Sequence, residues 1–123
     1  MQAKNTKPKV LVVDDERVIA DTLAIILNQS GFDASAVYTG TAAVERARSV
    51  RPDLIISDVI MPDMNGIEAA INIRKFLPEC KILLFSGQAA TADLLEAARS
   101  QGHEFEILAK PVHPQDLLAK LRG

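Results

Sequence analysis

Apolar residues along the chain fall into five short runs, and segments with helical spacing separate them. Four of the runs are almost continuously apolar, which is typical of parallel strands buried on both faces of a sheet. The second run is more polar and predicts an edge strand. The predicted strands are 10–13, 32–37, 54–56, 82–85 and 105–109.

Each predicted strand is followed by a segment with helical periodicity. In the first segment, Ile19, Leu23 and Leu27 lie on one face, and Ser30-Gly31 predicts where the helix ends. The predicted helices cover 19–27, about 41–50, 66 to near 78, 91–100 and a segment starting at Pro114. The alternation predicts an α/β protein: one open parallel sheet with helices on both faces.

The composition adds limits on the class of protein. Hydrophobic residues make up 48% of the 123 positions and charged residues 24%, as in a single globular domain. A net charge of −2 gives no basic excess for nucleic acid or a membrane surface, and no apolar run approaches the ~20 residues of a membrane span. The lone Cys80 fits a reducing compartment. We therefore expect a cytoplasmic protein that binds neither nucleic acid directly nor a membrane.

Polar residues follow four of the five predicted strands at the point where each strand ends. Asp14 and Asp15 follow the first strand, Asp58 the third, Ser86 the fourth and Lys110 the fifth. In open α/β sheets, ligands bind beyond the carboxyl ends of the strands. These five side chains are therefore expected to converge at one edge of the sheet.

The three aspartates point to a bound cation. One acidic residue after a strand often serves only as a helix N-cap, as Asp15 or Glu16 could for the first helix. Three neighbouring carboxylates, however, repel one another and need a cation or a shared proton. Hard oxygen ligands favour Mg²⁺ or Mn²⁺, and zinc is disfavoured because no His or Cys lies beside them.

Such a site predicts chemistry on a phosphoryl group. A carboxylate can attack phosphorus and form an acyl phosphate. A metal ion, the Lys110 ammonium and a hydroxyl donor would then stabilise the phosphoryl oxygens. Lys110 precedes Pro111, and we hypothesise that a cis peptide bond between them aims the lysine into the site.

Five motifs together resemble the receiver domain of the response regulators of two-component signalling. They are Leu-Val-Val-Asp-Asp-Glu at 11–16, Pro-Asp-Leu-Ile-Ile-Ser-Asp at 52–58, Met-Pro-Asp-Met-Asn-Gly at 61–66, Leu-Phe-Ser-Gly at 84–87 and Lys-Pro at 110–111. Each is weak alone, but the set in this order and spacing is highly specific. The resemblance implies a flavodoxin-like doubly wound (βα)5 fold with a five-stranded parallel sheet in the order 2-1-3-4-5.

The resemblance also assigns roles to the strand-end residues. Asp58 would be the residue phosphorylated by a sensor histidine kinase or a phosphotransfer protein. Mg²⁺ would be the cofactor, bound by Asp15, Asp58 and the backbone carbonyl of Ile60, with Asp14 acting largely through water.

The remaining site residues would hold the phosphoryl group: Ser86 through a hydrogen bond and Lys110 through an ion pair. Such a domain catalyses its own phosphorylation and dephosphorylation and turns over no independent substrate, so we do not expect an enzyme. Phosphorylation would shift it from an inactive to an active state and change the surface of the fourth helix, fifth strand and fifth helix, where an unidentified downstream protein would bind.

The expected domain organisation is simple. Residues 1–8 are expected to form an N-terminal extension and residues 9–122 the receiver domain, with no effector domain in this chain.

Three residues need separate comment. Ile107 occupies the position, three before the lysine, where the family usually has Tyr or Phe, and the nearest aromatic residue is Phe105 on the same strand face. Apolar Ile60 is hypothesised to slow hydrolysis of the acyl phosphate by hindering the attacking water. Gly66 is expected to supply the permissive dihedral angles that its loop requires.

Two other functions compete with the receiver interpretation. An aspartate-nucleophile phosphohydrolase would typically carry a second carboxylate two residues after the nucleophile, where this chain has Ile60. A flavin-binding module on the same fold would need a Ser/Thr/Gly-rich phosphate loop after the first strand, where Asp14 and Asp15 would repel the phosphate.

Overall fold

Strands and helices alternate throughout the computed structural model, which describes residues 7–87, 91–110 and 113–122. The elements are β1 (Lys9–Val13), α1 (Arg17–Gln29), β2 (Asp33–Val37), α2 (Gly40–Val50), β3 (Leu54–Asp58), α3 (Gly66–Phe76), β4 (Lys81–Ser86), α4 (Thr91–Ser100), β5 (Glu106–Ala109) and α5 (Pro114–Arg122). The predicted alternation is confirmed, with strand ends that differ by one or two residues. Pro111 with its hypothesised cis peptide bond, and residues 1–6 of the expected extension, lie outside the described residues.

The five strands form one parallel sheet in the order β2-β1-β3-β4-β5, as the resemblance implied. The more polar β2 is an edge strand, which confirms that prediction. Val13 lies beside Ser57, Asp58 beside Phe85, and Ser86 beside Ala109. The carboxyl ends of β1, β3, β4 and β5 therefore meet along one edge of the sheet.

Alternate residues of each central strand face opposite sides of the sheet, and both sides are covered. On β1, Leu11 and Val13 pack in a cluster with residues of α2, α3 and α4, while Val10 and Val12 pack with residues of α1 and α5. Burial on both faces explains why the central strands read as continuous apolar runs. It also rigidly fixes the strand ends that carry the polar residues.

The helices begin and end at residues with recognisable capping roles. At the start of α3, Asn65 Oδ1 accepts from the backbone N–H of Glu68 at 2.8 Å, and Glu68 Oε1 accepts from the N–H of Asn65 at 3.0 Å. Such a capping box satisfies two N–H groups that lack helical partners, and an N-cap is typically worth about 1 kcal/mol. Among the described helices the longest, α1, has 13 residues, and none is long and apolar enough to cross a membrane.

Gly66 allows α3 to start directly against the end of β3. Its N–H donates to the carbonyl oxygen of Val59 at 2.8 Å, and a Cβ at this position would overlap the Asp58 carbonyl oxygen and lie 3.0 Å from Ser57 Oγ. The left-handed residue of this loop is Asp63, with φ 67°, whereas the φ of Gly66 is not positive. The dihedral explanation for Gly66 is therefore wrong, and glycine is required there because of space.

Candidate functional site

The ends of four strands place the polar residues that the sequence singled out. Asp14 follows β1 directly, Asp58 is the last residue of β3, Ser86 is the last residue of β4, and Lys110 follows β5. Backbone hydrogen bonds continue past the strand ends, from Asp14 N to Val37 O (3.2 Å) and from Lys110 N to Ser86 O (3.1 Å). The predicted convergence at one edge is confirmed in its backbone framework.

Three carboxylates form the centre of the site. One oxygen atom from each of Asp14, Asp15 and Asp58 lies within 4.8 Å of the others. Asp14 and Asp58 are buried, whereas Asp15 is exposed and opens the cluster to solvent. Three like charges at this separation destabilise one another unless a proton or cation intervenes.

Asp14 has one carboxylate oxygen that makes a hydrogen bond and one that has no partner in the described part of the chain. Its Oδ1 accepts from the backbone N–H of Glu16 at 2.9 Å, but its buried Oδ2 has no hydrogen-bond partner among the described residues. Burial, supported by the charge of Asp58, raises the pKa of Asp14 to about 6. An oxygen cluster with one buried, unpartnered carboxylate oxygen fits a small divalent cation and its bound waters.

Lys110 compensates part of this charge. Its Nζ donates to Asp58 Oδ2 at 3.1 Å, and its side chain is 27% exposed. Burial raises the pKa of Asp58, and the hydrogen bond and charge of Lys110 oppose that rise. Asp58 is therefore a buried carboxylate with one ammonium and two other carboxylates close to it.

Ser86 and Ile60 flank the carboxylates. Ser86 is largely buried, and its carbonyl oxygen ties β4 to Lys110. Ile60, two residues after Asp58, is exposed, with a relative accessibility of 36%. The roles of the Ser86 hydroxyl and the Ile60 carbonyl stay predictions.

Sequence reasoning missed Phe85. Its ring centroid lies 5.3 Å from Lys110 Nζ, and the strand register places it beside Asp58. The available signal was an aromatic residue directly before the predicted hydroxyl residue, although nothing in the periodicity separates it from ordinary core.

The aromatic residue nearest the usual family position lies at the other end of β5. Phe105 directly precedes β5, and the Arg74 guanidinium of α3 lies 4.5 Å from its ring centroid. Phe105 and Ile107 pack against the same core cluster, so the prediction that they share a face is confirmed. Arg74 also donates to the Glu104 carbonyl at 3.2 Å, which holds this connection to α3.

Replacing the buried acid, Asp14→Asn, is expected to stabilise the metal-free protein by about 2–3 kcal/mol at pH 7.5. Because the folded-state pKa of Asp14 is about 6, above the ordinary 3.8, the ionised carboxylate costs stability. The free energy of unfolding of the wild type is therefore highest below about pH 4 and falls as the pH rises through 6. The gain of the variant over the wild type should therefore disappear near pH 4. Urea unfolding with a chelator at both pH values measures it.

The matched control is Asp33→Asn, which neutralises an exposed carboxylate on β2 and should change stability by less than about 0.5 kcal/mol at either pH. Equal stability of Asp14→Asn and the wild type at pH 7.5 would show that the Asp14 carboxylate is compensated without a cation.

Comparison with known proteins gives a consistent assignment. A family model described as the response regulator receiver domain matches residues 10–122. Over 114 residues the chain is 32% identical to the chemotaxis protein CheY of Thermotoga maritima, and the match covers 92% of this chain and 93% of that one. It is also 32% identical over 117 residues to the DNA-binding response regulator MtrA of Mycobacterium tuberculosis. That match covers 95% of this chain, and the chain spans about half the length of MtrA.

Solved structures share the same fold. The chemotaxis protein CheY4 of Vibrio cholerae superposes with a TM-score of 0.84 at 29% identity, covering 95% of this chain and 98% of that chain. A CheY-like receiver domain protein from Methanospirillum hungatei gives a TM-score of 0.85 at 26% identity, with 95% and 92% covered.

Proposed function

The chain belongs to the response-regulator receiver domain family, and from this premise we propose that Asp58 accepts a phosphoryl group from a histidine kinase or a phosphotransfer protein. The observation that carries the proposal is the buried Asp58 carboxylate, which lies close to the carboxylates of Asp14 and Asp15 and accepts a hydrogen bond from the ammonium of Lys110. A nucleophilic carboxylate beside a cation site and a fixed ammonium is the equipment that phosphoryl transfer requires.

We propose Mg²⁺ as the cofactor. Asp15, Asp58 and the backbone carbonyl of Ile60 would bind the ion, and Asp14 would hold its waters. The short separation of the carboxylate oxygens and the unpartnered Oδ2 of Asp14 support an all-oxygen divalent site. When bound, the ion neutralises charge on the phosphoryl oxygens.

The transfer forms one bond and breaks one. An Asp58 carboxylate oxygen attacks phosphorus as the P–N bond to the donor histidine breaks, and the released imidazole nitrogen takes up a proton. Lys110 Nζ, which now donates to Asp58, passes to a phosphoryl oxygen, and Ser86 Oγ donates to another. The burial of Asp58 limits the water that could compete with its carboxylate for the phosphoryl group.

The phosphorylated domain would shift from its inactive to its active state and present a changed surface on α4, β5 and α5 to a downstream protein. On this surface, Lys120 Nζ of α5 pairs with Glu106 Oε2 of β5 at 2.7 Å. Exposed ion pairs of this kind contribute little stability, so a partner can replace them at low cost. We propose that the reaction takes place in the cytoplasm, a reducing compartment that the lone Cys80 fits. We propose a protein partner rather than DNA, because a net charge of −2 gives no basic excess for binding nucleic acid.

A receiver and a phosphohydrolase give different products with a small phosphodonor. With acetyl phosphate and Mg²⁺, we expect at most one phosphoryl group per chain, as an acid-stable and base-labile label that a chelator prevents. Such a domain acts on itself and is not an enzyme with an independent substrate. Repeated turnover of a phosphomonoester such as p-nitrophenyl phosphate would instead favour the phosphohydrolase. The sequence disfavours that function, because Ile60 occupies the position where such an enzyme typically carries its second carboxylate.

Ile60→Asn is expected to shorten the lifetime of the phosphorylated form. A polar side chain at this exposed position can hold the attacking water, and a barrier lowered by about 1 kcal/mol corresponds to roughly fivefold faster hydrolysis. The decay of radiolabelled protein after removal of the donor measures the lifetime. Ile60→Leu, which keeps an apolar side chain, should decay like the wild type, and an unchanged lifetime in Ile60→Asn would refute the water-exclusion role.

A further inference from the structure

Phe85 lies beside Asp58 in the sheet, and the transfer as described so far gives it no role. Its side chain is 1% exposed, and the register places it between Asp58 on β3 and Leu108 on β5. Its ring packs in the core cluster that α1 and α5 cover, together with neighbours such as Leu83 and Ile56. The ring is therefore held by the surrounding core.

The Lys110 ammonium contacts this ring and the acceptor carboxylate at once. Its Nζ lies 5.3 Å from the Phe85 ring centroid and 3.1 Å from Asp58 Oδ2. A cation within about 6 Å of a ring centroid is attracted by the negative face of the ring, more strongly when solvent is partly excluded. The 27% exposure of the Lys110 side chain meets that condition.

The backbone and stem of Lys110 are also restrained. Its N–H donates to the Ser86 carbonyl at 3.1 Å, and a Cβ on Gly87 would lie 3.3 Å from Lys110 Cβ. The base of the side chain is thus fixed between β4 and β5. Several rotatable bonds still separate it from Nζ, and Phe85 restricts where the ammonium can lie.

We propose that Phe85 is a positioning residue that holds the Lys110 ammonium at the acceptor through its aromatic face. A ring attracts the ammonium without taking one of its N–H groups, so all three N–H groups remain available for oxygen atoms. The ammonium can then pass from Asp58 to a phosphoryl oxygen while staying over the ring. The contact itself depends on the structure alone, and its effect on the transfer rate rests on the proposed function.

Stepwise fluorination of Phe85 tests the aromatic face with little change in size. Site-specific incorporation of 4-fluoro-, 3,5-difluoro- and 3,4,5-trifluorophenylalanine weakens the negative face of the ring progressively. The rate constant of phosphorylation by acetyl phosphate at saturating Mg²⁺ should fall in the same order, by about threefold to tenfold over the series. In Lys110→Met, which has no ammonium, the series should be flat. A rate that ignores fluorination in the wild-type background would overturn the proposal.

A second measurement needs no phosphodonor. In urea unfolding, Phe85→Leu and Lys110→Met should be non-additive, whereas Leu83→Val, a matched change in the same strand and cluster, should be additive with Lys110→Met. If the wild type takes no label but the cycle is non-additive, the proposed function fails and the Phe85–Lys110 contact is supported. If the wild type is labelled, fluorination leaves its rate unchanged and Phe85→Leu is additive with Lys110→Met, the positioning role is overturned while the proposed function stands.

Discussion

Asp58→Asn is expected to abolish phosphoryl incorporation from both a histidine kinase and acetyl phosphate. The amide has the size of the carboxylate but is not a nucleophile towards phosphorus, and it cannot form the acyl phosphate. The variant should remain folded. Burial raises the pKa of Asp58, so the ionised carboxylate costs stability at neutral pH, and neutralising it removes that cost. Incorporated radiolabel per chain and intact-protein mass give the measurement.

Asp63→Asn is the matched control for this experiment. Asp63 lies in the loop that follows Asp58, is exposed, and has φ 67°, a conformation that Asn tolerates well. This variant makes the same chemical change in the loop that follows the acceptor strand and should be labelled like the wild type. Label that persists in Asp58→Asn would place the acceptor elsewhere and contradict the proposed function.

The fold could be predicted from the sequence because its strongest signals are physical requirements of parallel sheets. The stretch 10–13 of β1 must be apolar at every position, since successive residues enter the two clusters on opposite faces. The helices between the strands need only one apolar stripe, and this difference in period separates the two kinds of element. The strand order itself came from the family resemblance and not from periodicity.

The charged part of the site could also be predicted from the sequence, since the carboxyl ends of parallel strands meet at one edge of the sheet. Their positions directly after strands predict that Asp14, Asp58 and Lys110 lie close together, as they do in the structure. The contact of Phe85 with Lys110 could not be predicted from the sequence, because it depends on the register of β4 with β3 and β5 and on the conformation of the lysine side chain. The orphaned Oδ2 of Asp14 likewise depends on which backbone N–H groups the β1–α1 turn presents.

Gly66 illustrates a residue that the sequence marked for the wrong reason, and Gly66→Ala tests the role that the structure gives it. Because the φ of Gly66 is not positive, alanine meets no dihedral strain there, and helix propensity alone predicts that Gly66→Ala stabilises the start of α3 by about 1 kcal/mol. The structure predicts the opposite sign. The new Cβ would overlap the Asp58 carbonyl oxygen, which belongs to the backbone and cannot rotate away as a side chain would. We expect a loss of about 3 kcal/mol in the free energy of unfolding.

Urea unfolding of Gly66→Ala beside Gly31→Ala separates space from dihedral strain. Gly31 has φ 98° and no atom within 4 Å of the Cβ position, so its substitution meets only the left-handed conformation, at a cost of roughly 1–2 kcal/mol. Gly66→Ala should lose more stability and should also be phosphorylated more slowly, because relief of the overlap moves the β3–α3 loop away from Asp58. Gly31→Ala, remote from the strand ends that carry the site, should be phosphorylated like the wild type. If Gly66→Ala were as stable as the wild type, the Asp58 carbonyl would have to shift at no cost. The end of β3 that carries the acceptor would then not be rigid.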